Sequence, residues 1–317
     1  MAGCLYDPNA ISERWLRFID EIMDGSEEDS VYLQKLGGYF LWGKRPEQII
    51  QFFKGDGGDG KSVFVETIRK LLGDYQITLP ALSLSSKNPS SIPNDIARIS
   101  GARLVAVSEL PKAMHLNTQL VKGISGGDTM TARFLHQEFF DFEPEAVLLV
   151  VTNFYPFGNI EDEAYFRRLR ILRFPRNFSD GAPDLHLRER LATELPGILN
   201  WAIQGYNLYR SEGLSPTTSM CNELQQYQRF TDPIDGFFET SIEVTNVTAN
   251  FIPTDELLDA AQKFGRQEDR DSIHKTDLVR YMRSRGFNRV QRRDGRARVR
   301  GYSGIKVVEY KEDNLPF

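Results

Sequence analysis

Cysteine is scarce in this chain of 317 residues: Cys4 and Cys221 stand far apart, and the four histidines, His115, His136, His186 and His274, do not cluster. That distribution points neither to a disulfide framework nor to a zinc site. No run of eighteen apolar residues occurs, and the opening "MAGCLYDPNAISERW" lacks the basic and then apolar layout of a signal peptide. A cytoplasmic protein without a membrane partner is therefore expected. Internal repeats and low-complexity segments are also missing. The net charge of −5 excludes a wholly basic nucleic-acid coat protein. With 40% hydrophobic and 26% charged residues, the chain suits one large domain or two to three smaller ones.

The average charge hides an asymmetry. Between Gln262 and Lys306 there are fourteen Lys plus Arg against five Asp plus Glu, a local net of +9, so the remainder carries −14. "PTDELLDAAQKF" and "HKTDLVRYMRSRGF" place apolar residues at helical spacing, and "FNRVQRRDGRARVRGYSGIKVVEY" alternates and turns at Asp294-Gly295, a hairpin signal. Two helices followed by a basic two-stranded wing read as a winged-helix DNA-binding domain over 246–317, with Arg292, Arg293, Arg296 and Arg298 facing DNA. The bland alternative is a small packed domain that its arginines merely keep in solution.

At the other end, "ISERWLRFIDEIM" sets Trp15, Phe18, Ile19 and Ile22 on one helical face, and "SVYLQKLGGYFLWG" does the same with Tyr32, Leu33, Leu36, Tyr39 and Phe40. This predicts an N-terminal helical domain over 1–45, read as an oligomerisation piece. Pro46 marks entry to the next region.

Between them, "EQIIQFFKG" suits a buried strand and "KSVFVETIRKLLG" a helix ended by Gly73, with "GDGGDGKS" in the turn. Gly55 to Ser62 fits GxxxxGK[ST], the P-loop pattern, in the strand–loop–helix context that pattern requires. Gly55, Asp56, Gly57, Gly58, Asp59, Gly60, Lys61, Ser62 and Val63 are the candidate ATP-binding residues. Backbone N–H groups would cradle phosphate, Lys61 would reach the β and γ phosphates, and Ser62 would ligate Mg²⁺. "GARLVAVSELPK" supplies an apolar strand ending in Glu109, the layout of a Walker B acid; many buried strands end in Glu, and the position after the loop gives this one its role. The strand "EAVLLVVTNFYP" ends in Asn153, which can report on a γ-phosphate or is an ordinary turn former. "LVKGISGGDTMTARFLHQEFFDFEP" presents Lys122, Arg133 and His136 around a tight turn, and "EAYFRRLRILRF" pairs Arg167 and Arg168 before a strand.

In that order, "GDGGDGKS", "LVAVSEL", "KGISGGDTMTAR", "LLVVTNFYP", "YFRRLRILRF" and "GILNWAIQGY" resemble the superfamily 3 helicase region of phage, plasmid and poxvirus primase-helicases over Ser12 to Trp201. The resemblance implies an α/β P-loop NTPase (AAA+-like) with a parallel sheet core over 46–245. It also implies a homo-hexameric ring on single-stranded and forked DNA, moving 3′ to 5′ with ATP and Mg²⁺ between subunits. Lys61 and Ser62 match its Walker A residues, Glu109 its Walker B acid and Asn153 its sensor. Lys122 to Arg133 match the segment that forms its pore hairpin. Arg168, with Arg167 second, matches the finger supplied in trans. Asp59 stands where Asn is frequent.

A primase or primase-polymerase usually lies upstream in that family, and nothing in this sequence resembles one. Either the chain is the helicase portion of a longer polypeptide or priming is supplied by a separate protein. The expected activity is ATP-dependent DNA unwinding in replication. An ATP-switched origin-binding or assembly factor is the alternative, and a protein-remodelling machine, with Phe134 and Phe139 in its pore, is a third.

Overall fold

Five parallel strands form the centre of the first unit. The computed structural model describes residues 3–44, 46–86, 93–111, 114–156, 162–179, 184–231, 233–245, 247, 249–267, 273–294 and 297–308. The chain divides into two compact units, Met1–Gln225 and Gln226–Phe317.

The first unit opens with α1 (Glu13–Ile22) and α2 (Glu27–Trp42). Trp15, Phe18, Ile19 and Ile22 recur at helical spacing along α1, and all four are buried. Ser26 caps α2 by accepting the Asp29 N–H at 3.3 Å, and Gly43, at φ 69°, ends it. Next come β1 (Ile50–Lys54), α3 (Lys61–Leu72), β2 (Gln76–Leu79), α4 (Pro93–Ala97), β3 (Leu104–Ser108) and α5 (Thr118–Gly126). A short antiparallel pair, β4 (Met130–Ala132) and β5 (Phe140–Phe142), leads to β6 (Val147–Thr152), α6 (Glu163–Arg168) and β7 (Leu169–Arg173). Three helices follow: α7 (Leu187–Thr193), α8 (Leu195–Glu212) and α9 (Thr218–Thr231), of which α9 belongs to this unit as far as Gln225.

The sheet order is β2-β3-β6-β1-β7, and every neighbouring pair is parallel. β1 and β6 are buried along their whole length. Strands covered on both faces read as continuous apolar runs, which is why "IIQFF" and "VLLVV" show no alternation.

One face of the sheet meets α1, α2, α3 and α8 in a single core. Trp15 stacks on Phe64 at 5.4 Å and meets Trp201 edge-on at 5.2 Å, while Phe53 lies 5.0 Å from Phe174. The helices expected as a separate piece over 1–45 thus share the sheet's core. Their contact with α8 is a backbone approach: a Cβ on Gly38 would sit 2.1 Å from the Tyr206 nitrogen.

The second unit contains α10 (Pro233–Ser241), β8 (Ile242–Val244), β9 (Phe251–Pro253), α11 (Thr254–Gln267), α12 (Lys275–Ser284), β10 (Val290–Asp294), β11 (Ala297–Ser303) and β12 (Ile305–Val307). β10, β11 and β9 form an antiparallel sheet in that order, and β12 pairs with β8. Phe237, Leu257, Ala261, Phe264, Leu278, Met282 and Tyr302 build its core. The two helices and the following hairpin stand where periodicity and alternation put them.

Candidate functional site

β1 ends at Lys54, and after an intervening six residues α3 begins at Lys61. Gly57, Gly58 and Gly60 have φ of 92°, 63° and 87°, values that favour glycine. The N–H groups of Gly57 and Lys61, each at 3.2 Å, and the Lys61 ammonium converge on the Asp59 carboxylate. Lys61 and Asp59 are both buried, whereas Ser62 is exposed on the first turn of α3 and Val63 is half-buried. The loop is braced at its start and its middle: the Gly55 N–H donates to the Thr152 carbonyl at 3.3 Å, and the Phe178 N–H to the Gly58 carbonyl at 2.8 Å. Asp56 points outward to Arg173, 3.2 Å away.

The sheet order brings two further expected residues alongside. β6 lies between β3 and β1, so Glu109, Asn153 and Gly55 follow the ends of three neighbouring strands. Glu109 is exposed, its N–H donates to the Val151 carbonyl at 3.0 Å, and its φ is 59°. A left-handed backbone at a non-glycine residue stores strain, and such strain concentrates at functional sites. The Asn153 amide nitrogen lies 4.0 Å from where a Cβ on Gly57 would stand. Among the described residues no group of three or more His, Cys, Asp or Glu could hold a metal by itself. The Ser62 hydroxyl and Glu109 carboxylate are hard oxygen donors, the type that suits Mg²⁺ when phosphate oxygens and water complete the shell.

Below the loop lies a cluster that the sequence reading missed. The Lys54 ammonium is 3.8 Å from Glu223 and 4.4 Å from the centre of the Tyr155 ring. Tyr155 donates its hydroxyl to Glu223, and Arg173 lies 3.6 Å from the other Glu223 oxygen. Burial pulls the Lys54 pKa down against the pull of Glu223, and it pushes the Tyr155 phenol up, helped by Glu223. A lysine closing a wholly buried, mostly apolar strand was the available signal. Its partner lies on α9, too far along the chain for any local pattern.

Arg168 is at the opposite end of the sheet. It ends α6, directly before Leu169, which pairs with Ile50 at the start of β1. Five strand residues therefore separate Arg168 from the glycine loop, roughly 13–17 Å at the usual rise. Its guanidinium donates to Gln48 Oε1 at 3.0 Å and to the Ala164 carbonyl at 2.7 Å; Arg167 is exposed.

The segment from Lys122 to Arg133 needs a correction, because its first half is helix rather than hairpin. Asn117 caps α5 by accepting the Leu120 N–H at 3.0 Å, and Gly127, at φ 80°, ends it. Lys122 stands on that helix, 2.5 Å from Asp162. Burial would raise the Asp162 pKa, but the bonds from Lys122 and the Tyr165 N–H hold it below the usual carboxylate value. The hairpin is β4–β5, and its tip carries Arg133 and His136 but not Lys122. Arg133 covers the Phe139 ring at 4.7 Å, His136 has φ 63°, and Phe134, Leu135 and Phe139 are exposed.

In the second unit, Arg293 and Arg298 are cross-strand partners, both exposed, with Arg300 two residues along the same face. Like charges directly opposite repel, so this face favours an anion. Arg292 points the other way: it donates to the Ala249 carbonyl at 3.3 Å and to Ser303 Oγ at 3.1 Å, and covers Phe251 at 4.8 Å. Arg296 lies outside the described residues.

Comparison with known proteins places these features in context. Residues 53–168 match a family of unknown function, DUF5906. The chain is 26% identical over 225 residues to "Putative helicase L207/L206" of Acanthamoeba polyphaga mimivirus, covering 65% of this chain and 23% of that protein. It is 27% identical over 169 residues to "Putative helicase 022R" of Frog virus 3 (isolate Goorha), covering 51% of this chain and 17% of that protein. It therefore spans about a fifth of the length of these relatives. The apo C-terminal region of NrS-1, in its A form, shares the fold with a TM-score of 0.57 at 13% identity, over 95% of this chain and 76% of that one.

Proposed function

We propose that this chain is the motor portion of an ATP-dependent DNA helicase of the superfamily 3, AAA+-like type, working as a homo-hexamer. The observation that carries the reading is the row along one end of the sheet: the glycine loop with Lys61 and Ser62, then Asn153, then Glu109, on three neighbouring strands. Open parallel sheets bind ligands at the carboxyl ends of their strands, and here a helix N-terminus, inward N–H groups and a lysine meet at that edge. The helicase names of the viral relatives support the same reading.

In this mechanism the loop and Lys61 hold the phosphates of ATP. Ser62 and Glu109 would hold Mg²⁺, which supplies charge neutralisation at the β and γ phosphates. Glu109 polarises the attacking water, and Asn153 bonds the γ-phosphate. Arg168 lies too far from its own loop to act in cis, which supports its use on a neighbouring subunit's site. Such an arginine is worth on the order of 10³-fold or more in rate. The Arg133–Phe139 tip of the β4–β5 hairpin grips single-stranded DNA, and the Arg293, Arg298 and Arg300 face of the second unit, a winged helix in this reading, contacts the fork. Movement is 3′ to 5′, and a primase acts in the same polypeptide or in trans.

The test is strand displacement on 3′- and 5′-tailed forks with and without ATP, on protein of measured solution mass, with Lys61→Ala as the control. Unwinding of one polarity by a hexamer supports the proposal. ATP-dependent DNA binding without displacement favours an origin-binding or assembly factor.

A further inference from the structure

The anion cradle of the glycine loop is engaged by the chain's own carboxylate. Asp59 Oδ2 accepts the Gly57 N–H and Oδ1 the Lys61 N–H, both at 3.2 Å, and the Lys61 ammonium closes on Oδ2. Backbone N–H groups and the lysine are what a loop of this pattern offers to nucleotide phosphates. The pair is only 4% exposed at each residue, so the carboxylate lies inside the loop. Gly55 leaves it room: a Cβ there would stand 2.1 Å from Asp59 Oδ2 and 2.7 Å from Lys61 Nζ. Asp56, three residues earlier, shows the ordinary alternative for a loop aspartate, facing out to Arg173.

We propose that Asp59 is an internal phosphate mimic that holds the cradle and has to swing out before polyphosphate enters. The inference rests on the nucleotide reading above and adds a regulatory step to it. Two anions cannot share the same donors, so binding occurs only in the fraction of molecules whose cradle is open, and the apparent Kd rises by the inverse of that fraction. An open fraction of about one in ten corresponds to a tenfold penalty. Removing the carboxylate should lift that penalty and also leave the Lys61 ammonium without a counter-charge in the ligand-free loop.

Calorimetric titration of the full chain with MgATP, and separately with magnesium tripolyphosphate, tests this on wild type, Asp59→Asn and Asp59→Ala, with Lys61→Ala as the control. Both Asp59 variants are expected to bind both ligands about tenfold more tightly, while their melting temperatures without ligand fall. Two folded variants with unchanged or weaker affinity would show that Asp59 is only a structural brace. Tightening for MgATP but not for tripolyphosphate would also overturn the proposal, because a phosphate mimic competes for both. Wild-type binding with no gain in the variants would sink the mimic alone. Absence of binding by wild type and both variants would sink the nucleotide reading with it.

Discussion

The ammonium of Lys54 lies 3.8 Å from the carboxylate of Glu223, with the two side chains only 3% and 6% exposed. Lys54 is the last residue of β1, so this pair stands directly below the glycine loop. Removing one partner of a buried pair leaves the other charge uncompensated, which costs about 3–5 kcal/mol. Glu223→Ala should lower the urea midpoint accordingly. The double variant Lys54→Met with Glu223→Gln should unfold closer to wild type than Glu223→Ala does, and a double variant no better than the single would mean that the pair is not the source of the loss.

Glu109 combines exposure, a strand end and a left-handed backbone. If it polarises water, Glu109→Gln should keep MgATP binding and reduce hydrolysis by about 10²-fold or more. Glu109→Gly should lose hydrolysis equally and yet gain up to about 1 kcal/mol of stability by relieving the backbone. Calorimetric binding, phosphate release and thermal melts separate these effects.

Because Arg168 and the glycine loop occupy opposite ends of the same strands, a site completed by Arg168 must join two subunits. Lys61→Ala and Arg168→Ala proteins should each be inactive alone, and mixing them should restore measurable ATPase at the interfaces that receive an intact loop and an intact arginine. Mixtures as inactive as the parents would argue against trans action.

Alkaline pH should destabilise the first unit. Burial raises the phenol pKa of Tyr32, and burial together with Glu223 raises that of Tyr155, above the ordinary 10.0. Above pH 10 the unfolded chain releases phenol protons that the folded chain keeps, so the stability present below that pH is lost as pH rises. Lys54 shifts the other way and adds stability as pH rises toward 10.5. Melting temperature should therefore hold until about pH 10 and then fall, and Tyr32→Phe should reduce the fall.

Arg293 and Arg298 should each contribute to DNA affinity through phosphate. Replacing either with Ala should weaken binding across sequences and reduce the slope of log K against log salt by about 0.9. Arg292→Ala should instead lower stability, since that side chain is committed to Ala249, Ser303 and Phe251. Filter binding over a salt series, alongside melts, distinguishes the two effects.

Local pattern made much of this legible. The strand, loop and helix from Ile50 to Leu72 appear where a short apolar run, four glycines and a helical period put them. The basic hairpin stands where alternation placed it. Legibility failed where two local readings competed: the charged segment from Lys122 to Arg133 splits into a helix and one hairpin strand because Asn117 and Gly127 supply its caps. It failed again at Lys54, whose partner is set by packing alone.

The sequence by itself determined the elements, the loop that admits only a permissive backbone, and the separation of an acidic body from a basic end, because each depends on residues within a few positions of one another. Only the tertiary structure decided that β6 stands between β3 and β1, so that Asn153 and then Glu109 line up beside the loop while Arg168 is held at the other end of the strands. It also decided that Asp59, rather than Asp56, turns into the cradle. Strand order and side-chain direction are settled by contacts between distant segments, and a buried carboxylate goes where hydrogen-bond donors can compensate its lost hydration.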